Sequence, residues 1–182
     1  DFEKVLANLQ KSIQTKSKFI TRFRYVSPNG KVRNLLGFAS PQFLADGTTV
    51  FNVILLDNTQ QAKNEDLLAL TGKLAKIGGW EVDLVSNAVY WTNETHLIHE
   101  TDPDSFIPNL EGAINFYRKD FHELIRSSVQ ECIATGEPYQ IEAVLITANK
   151  KELWVRSNAK AEFINGVCTR IYGSIQDIHE QK

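Results

Sequence analysis

The 182-residue chain contains no methionine, only two cysteines and no long apolar run. Without a methionine, Asp1 reads as an internal position, so the chain is expected to be a piece of a longer polypeptide. Cys132 and Cys168 are too few for a disulfide scaffold and read as packed thiols in a reducing compartment, the cytoplasm. No stretch approaches the about 20 apolar residues a membrane helix needs, so membrane contact is not indicated within this chain, and any anchor of the full-length protein would lie outside it. Charge of neither sign dominates: 20 Lys and Arg stand against 22 Asp and Glu, a net of −2. With no basic run either, nucleic acid is excluded as a partner. Nucleophile elbow, P-loop, Gly-rich dinucleotide turn and His-Glu-x-x-His sequences are missing, so no catalytic residue is assigned and the chain is not read as an enzyme. His96 and His99, three apart on a short helix, bring two imidazoles together, but no Cys/His cluster completes a metal site.

What is present is a run of strand signals at the C-terminal end. Tyr139–Ile146 is one apolar-rich run. In Glu152–Phe163 the residues Leu153, Val155, Ser157, Ala159, Ala161 and Phe163 alternate with Glu152, Trp154, Arg156, Asn158, Lys160 and Glu162. Period two marks a strand with one buried face. Asn165-Gly166 then predicts a tight hairpin, because both residues tolerate positive φ. A third run spans Thr169–Gln176 and closes on Asp177-Ile178-His179.

The same order appears earlier. Phe19–Val26, Lys31–Leu44 and Thr49–Leu56 are three runs separated by Ser27-Pro28-Asn29-Gly30 and Asp46-Gly47, and closed by Asp57-Asn58-Thr59. Phe19 lies 120 positions before Tyr139, and Asp57 lies 120 before Asp177. That spacing is the length of a small domain rather than of a solenoid repeat. The first copy begins at its middle, with only the helix Asp1–Thr15 before its strands. The expected domains are therefore the C-terminal half of a first unit over 1–59, a helical linker over 60–77 and a complete unit over 78–182. In the first helix, Val5, Leu6, Leu9 and Ile13 share a face. In the linker, Leu67, Leu70, Leu74 and Ile77 form a short stripe, which fits either a coiled coil or a helix lying on its own domain.

Within the complete unit, Gly78-Gly79 reads as a helix stop. Trp80–Leu84 and Val89–Trp91 are two strands joined through Ser86-Asn87, and Thr92-Asn93-Glu94 caps a short helix ending at His99. Leu110–Tyr117 is a short helical piece. Asp120–Thr135 is a longer helix with Phe121, Leu124, Ile125, Val129, Cys132 and Ile133 on its apolar face. Two strands, helices, then three strands predict an α+β fold: a five-stranded antiparallel sheet with helices on one face.

The ordered motifs Gly78-Gly79-Trp80-Glu81-Val82-Asp83, Val89–Glu94, Tyr117–Glu123, Gly136-Glu137-Pro138-Tyr139, Leu153-Trp154-Val155-Arg156 and Gly173–Lys182 resemble a PAS domain with its associated C-terminal (PAC) motif. The chain departs from the family's pattern where Arg118-Lys119 replaces His-Pro, where Leu153 takes an Arg place and where His179 takes a Thr place. The resemblance covers 78–182 fully and 1–63 from the long helix onward. It implies a cytoplasmic sensory module of a multidomain signalling protein that binds a small ligand between sheet and helices and relays a change through its flanking helices. It also implies an effector in the same polypeptide, a histidine kinase or a diguanylate cyclase, and homodimerisation. The alternative it leaves open is a ligand-free dimerisation and relay module.

Through the resemblance, Trp80, Trp91, Phe116 and Tyr172 are candidate walls of a ligand cavity, with the small residues Ser157 and Ala159 leaving volume beside them or simply admitting close helix packing. Leu67, Leu70, Leu74, Ile77 and Asp177 are candidate dimer and relay positions. The family's flavin members carry an Asn-Cys-Arg-Phe type motif that is missing here. Its haem members use a histidine on the long helix, where His122 falls in the first turn. Neither flavin nor haem is expected as cofactor. His179 is read as a cap for an outgoing helix rather than a phosphorylation site.

Overall fold

The computed structural model describes all 182 residues, and the chain divides into two compact units, Asp1–Leu68 and Ala69–Lys182. The first unit holds α1 (Phe2–Thr15) and a three-stranded antiparallel sheet of β1 (Phe19–Val26), β2 (Val32–Phe43) and β3 (Thr49–Asp57), in the order β1-β2-β3. Helix α1 meets the sheet through Val5, Asn8, Leu9 and Ser12, whereas Leu6 and Ile13 are exposed. The face is therefore rotated from the one expected on apolar spacing alone, because polar anchors win. Ser12 is buried and its hydroxyl donates to the Ser17 carbonyl, and the Asn8 amide reaches the Thr21 hydroxyl at 3.3 Å. Strand β3 pairs with β2 on one side only.

Helix α2 (Thr59–Ala75) begins on the Asp57 carboxylate, which accepts from the Thr59 amide at 3.0 Å, and it buries none of its residues. Leu67, Leu70 and Leu74 are all more than half exposed. The helix ends earlier than the glycines suggest. Lys76 takes the left-handed conformation, with φ 52°, and Ile77 already belongs to β4 (Ile77–Asp83). Ile77 thus leaves the leucine stripe and pairs with Gln176. Gly78 and Gly79 lie inside the strand for a packing reason. A Cβ on Gly78 would run into the side chain and backbone of Thr95, at the start of the next helix.

The second unit adds β5 (Ala88–Trp91), α3 (Asn93–His99), α4 (Leu110–Asn115), α5 (His122–Thr135), β6 (Tyr139–Ile146), β7 (Glu152–Ile164) and β8 (Val167–Asp177). Its sheet runs β5-β4-β8-β7-β6, antiparallel throughout, so the closing strand pairs with the opening one. The hairpin signals were sound. Trp80 stands directly opposite Trp91, and Asn165 and Gly166 turn β7 into β8 with φ of 52° and 79°. Helix α5 starts at His122, after a 3-10 turn over Lys119–Phe121, and packs Ile125, Val129 and Cys132 onto the sheet. Leu124, expected on that face, is exposed. The buried hydrophobic cluster includes Val82, Leu145, Val155, Ile171 and Ile175 from the sheet, with Ile98 and Ile114 from the short helices.

Candidate functional site

Register builds the floor of a cavity between the sheet and its helices. The pairings Trp91↔Trp80, Trp80↔Gly173, Gly173↔Ala159 and Ala159↔Tyr139 form one row across all five strands. Bulky rings stand at the flanks of that row, and its middle has almost no side-chain volume. Gly173 cannot be enlarged, since a Cβ there would run into the Asn158 carbonyl oxygen of the neighbouring strand. Over this floor lies a cavity of about 60 Å³. Trp80, Val82, Ser157, Ile171 and Ile175 line it from the sheet. Thr95 and His99 line it from α3, Ile114 from α4, and Ile125 and Val129 from α5.

Four of the six candidate ligand-site residues come together near this space. Trp80, Trp91 and Ser157 line the cavity, and Ala159 is buried in the floor row without reaching the open volume. Phe116 lies one ring further out. It meets His99 edge-on at 5.0 Å and Trp91 at 6.2 Å, within a cluster that also contains His96 and Phe106. Tyr172 is on the wrong face. Alternation along β8 sends Ile171 and Ile175 inward and Tyr172 outward, where its ring carries the Arg170 guanidinium at 4.9 Å. The sequence reading did not anticipate Tyr117, Tyr139, Thr95 and His99. The last two share a face of α3 at a spacing of four, a signal that could have placed His99 inward once Thr92 was read as the cap.

The polar groups of the cavity are few and uncharged. Ser157, Tyr117 and Tyr139 line it together. Burial pushes the Tyr117 phenol up to about 12 and the Tyr139 phenol upward as well, so neither ionises near neutrality. His99 stacks on Trp91 with ring centroids 4.2 Å apart, and burial lowers its pKa from 6.5 to about 4. Its Nδ1 lies 2.7 Å from the Thr95 carbonyl oxygen, which can only accept, so Nδ1 carries the proton and Nε2 the lone pair. His96 is also shifted down by burial, and its Nδ1 meets the Thr101 hydroxyl at 2.9 Å.

The two histidines therefore belong to an aromatic cluster, and no group of three metal-ligating side chains forms anywhere in the chain. His122 engages the Tyr117 carbonyl at 2.7 Å through Nε2 and is not among the lining residues. Neither cysteine lines the cavity, and its volume is far below the about 300 Å³ at which pockets for drug-sized ligands begin.

One corner joins this cavity to the ends of the unit. The Thr95 hydroxyl donates to the Gly79 carbonyl at 2.7 Å, and the Thr92 hydroxyl accepts from the Gly79 amide at 3.0 Å. Just before Gly78, the Lys76 carbonyl accepts from the Asp177 amide at 3.0 Å, and the Lys76 ammonium pairs with Glu180 at 2.9 Å. Asp177 itself caps the final turn by accepting from the His179 amide at 2.9 Å.

A five-stranded antiparallel sheet with this order and helices on one face matches the family described as PAS fold, over residues 88–175. The second unit is a PAS domain. A blue-light-activated histidine kinase of Brucella ovis is 24% identical over 123 residues, covering 68% of this chain and 24% of the relative. The chain thus spans about a quarter of the length of the curated relatives it matches. Among solved structures, a sensory box histidine kinase/response regulator from Burkholderia thailandensis superposes with a TM-score of 0.54 at 16% identity, covering 63% of this chain and 86% of that one. The N-terminal domain of a diguanylate cyclase with PAS/PAC sensor from Marinobacter aquaeolei does so at 0.53 and 12% identity, covering 58% and 97%. At these identities the structural likeness establishes the fold of the PAS domain. The three-stranded sheet of the first unit fits a preceding PAS-like portion.

Proposed function

We propose that this chain is a cytoplasmic sensory segment of a multidomain signalling protein, in which the PAS domain takes up a small ligand in its sheet–helix cavity and relays occupancy to α2 and to the segment after β8. The observation that carries this reading is the corner at Thr95. That residue lines the cavity and bonds to Gly79, four residues past the end of the incoming helix, and the same corner ties Lys76 to Asp177 and Glu180. A ligand that moves Thr95 therefore moves the point where the chain enters and leaves the domain. The kinase and cyclase relatives support an effector of that kind in the same polypeptide. The chain's own part is binding and relay. Residues 1–59 are read as the C-terminal half of a first PAS/PAC-like unit, with the linker following.

Native mass spectrometry of the chain isolated from its own host tests the reading. A stoichiometric non-covalent adduct is expected. A clean protein mass, together with no response of the cavity to small molecules, would discard it. The second reading, a dimerisation and relay module without ligand, draws on the exposure of Leu70 and Leu74 on α2, which are 53% and 77% accessible. Light is the stimulus in the name of the Brucella relatives. With a cavity of about 60 Å³ and no cysteine on its lining, purified protein is expected to show no absorption band at about 450 nm, the range of protein-bound flavin.

A further inference from the structure

The ligand-sensing reading leaves the ligand's chemistry open, and the cavity restricts it. We infer that the PAS cavity takes a neutral, largely apolar molecule of about four to six heavy atoms bearing one hydrogen-bond acceptor, of which a short-chain ketone is the simplest example. This deepens the sensory reading and rests on it.

Size gives the first limit. One water needs about 10–15 Å³ of such volume, so a cavity of about 60 Å³ holds the equivalent of a few waters and no multi-ring compound. Charge gives the second. The lining contains no Lys, Arg, Asp or Glu, and His99 is held uncharged by burial. An ionised ligand would therefore enter without a counter-charge, a cost that a molecule this small cannot recover. Hydrogen bonding gives the third. Ser157, Tyr117 and Tyr139 all line the cavity and bring three O–H groups to it. This hydroxyl cluster is the polar patch of a space otherwise walled by hydrocarbon, aromatic rings and the Thr95–His99 edge of α3. A ligand oxygen can accept from it, and an alkane cannot.

The test uses the full 182-residue chain, isotopically labelled, at pH 7, with butan-2-one and propionate as matched probes of equal heavy-atom count. Butan-2-one is expected to shift the indole resonances of Trp80 and Trp91 saturably. The Trp154 indole, on the opposite face of the sheet beside Phe121 and Lys182, stays in place as an internal control. Propionate is expected to shift none of them. Ser157→Ala should weaken butan-2-one about three- to tenfold. Tyr139→Phe, which likewise removes a single hydroxyl oxygen, should act in the same direction, with both variants retaining the wild-type spectrum outside the cavity. Saturation by propionate at the same concentration, absence of saturable shifts with butan-2-one, or unchanged affinity in both variants would each overturn the inference. If native mass spectrometry then found a charged or larger adduct, the ligand class would fall and sensing would stand. A clean mass with a silent cavity would remove both.

Discussion

His99 concentrates the energetic tension of the domain. It is 3% exposed, stacked on Trp91, and carries a pKa of about 4 where a free histidine has 6.5, with burial as the leading cause. The unfolded chain takes up a proton below about 6.5, and the folded chain takes it up only below about 4. Stability is thus full above the upper value and falls as pH drops through this window. Between pH 7 and pH 5 the expected loss from this residue is about 2 kcal/mol. Urea unfolding of wild type and His99→Gln at the two pH values checks this, and the variant should lose most of the difference. His96, also lowered by burial, contributes in the same direction and leaves a residual slope. The sequence showed that these two histidines share a face at a spacing of three. It did not show what they face, because Trp91 and Phe116 reach them from a strand and from a loop end whose distance from α3 is set by tertiary packing. The same limit explains Tyr172. Its ring chemistry suited a wall, but a one-residue shift along β8 decides the face, and the flanking Gly173 gives the alternation no apolar marker.

At the scale of elements, the strands and hairpins were legible because alternation and turn chemistry are local. The end of α2 was not. A Gly-Gly pair after an apolar stripe reads as a stop, yet Lys76 makes the left-handed turn itself and Gly78 serves the contact of β4 with α3. Gly78→Ala is accordingly expected to cost about 3 kcal/mol, through displacement of the Thr95 backbone. Gly47→Ala, at a turn with open space around it, should cost only the about 1–2 kcal/mol of a positive φ. Denaturant midpoints of the two variants test the contrast. Helix α2 invites the opposite experiment. Because it buries nothing, Leu70→Glu with Leu74→Glu should leave the unfolding midpoint within about 0.5 kcal/mol of wild type. If the helices pair between copies, the same double variant should shift sedimentation toward the monomer, and unchanged sedimentation would remove α2 as the dimer contact.

Over the whole chain, the two copies of the repeat have unequal cores. Ala39 is the one buried hydrophobic residue of Asp1–Leu68, and all the others belong to the second unit. Local stability follows buried apolar contact, so hydrogen exchange should be graded. Amides of β1 and β2 are expected to exchange faster than those paired between β7 and β8. Equal protection in the two sheets would contradict that reading of the cores. The 120-position spacing of the repeat was visible in the sequence. Ile54, Leu55 and Leu56 carry the residue types of a core strand and yet lie exposed on β3, which pairs on one side only.

The fastening of Lys76 to Asp177 and Glu180 has a mechanical consequence. Strands β4 and β8 are antiparallel, and the incoming chain at Ile77 stands beside the outgoing chain at Gln176. A pull between the two leads therefore does not slide the strands past each other with every rung sharing the load. It peels them from one end, breaking the Lys76 contacts first and each rung toward Asp83 in turn. Such a seam yields to small forces and closes again from the same end. Tension or torque in the flanking leads would thus open the edge of the Thr95 corner before it disturbed the rest of the sheet.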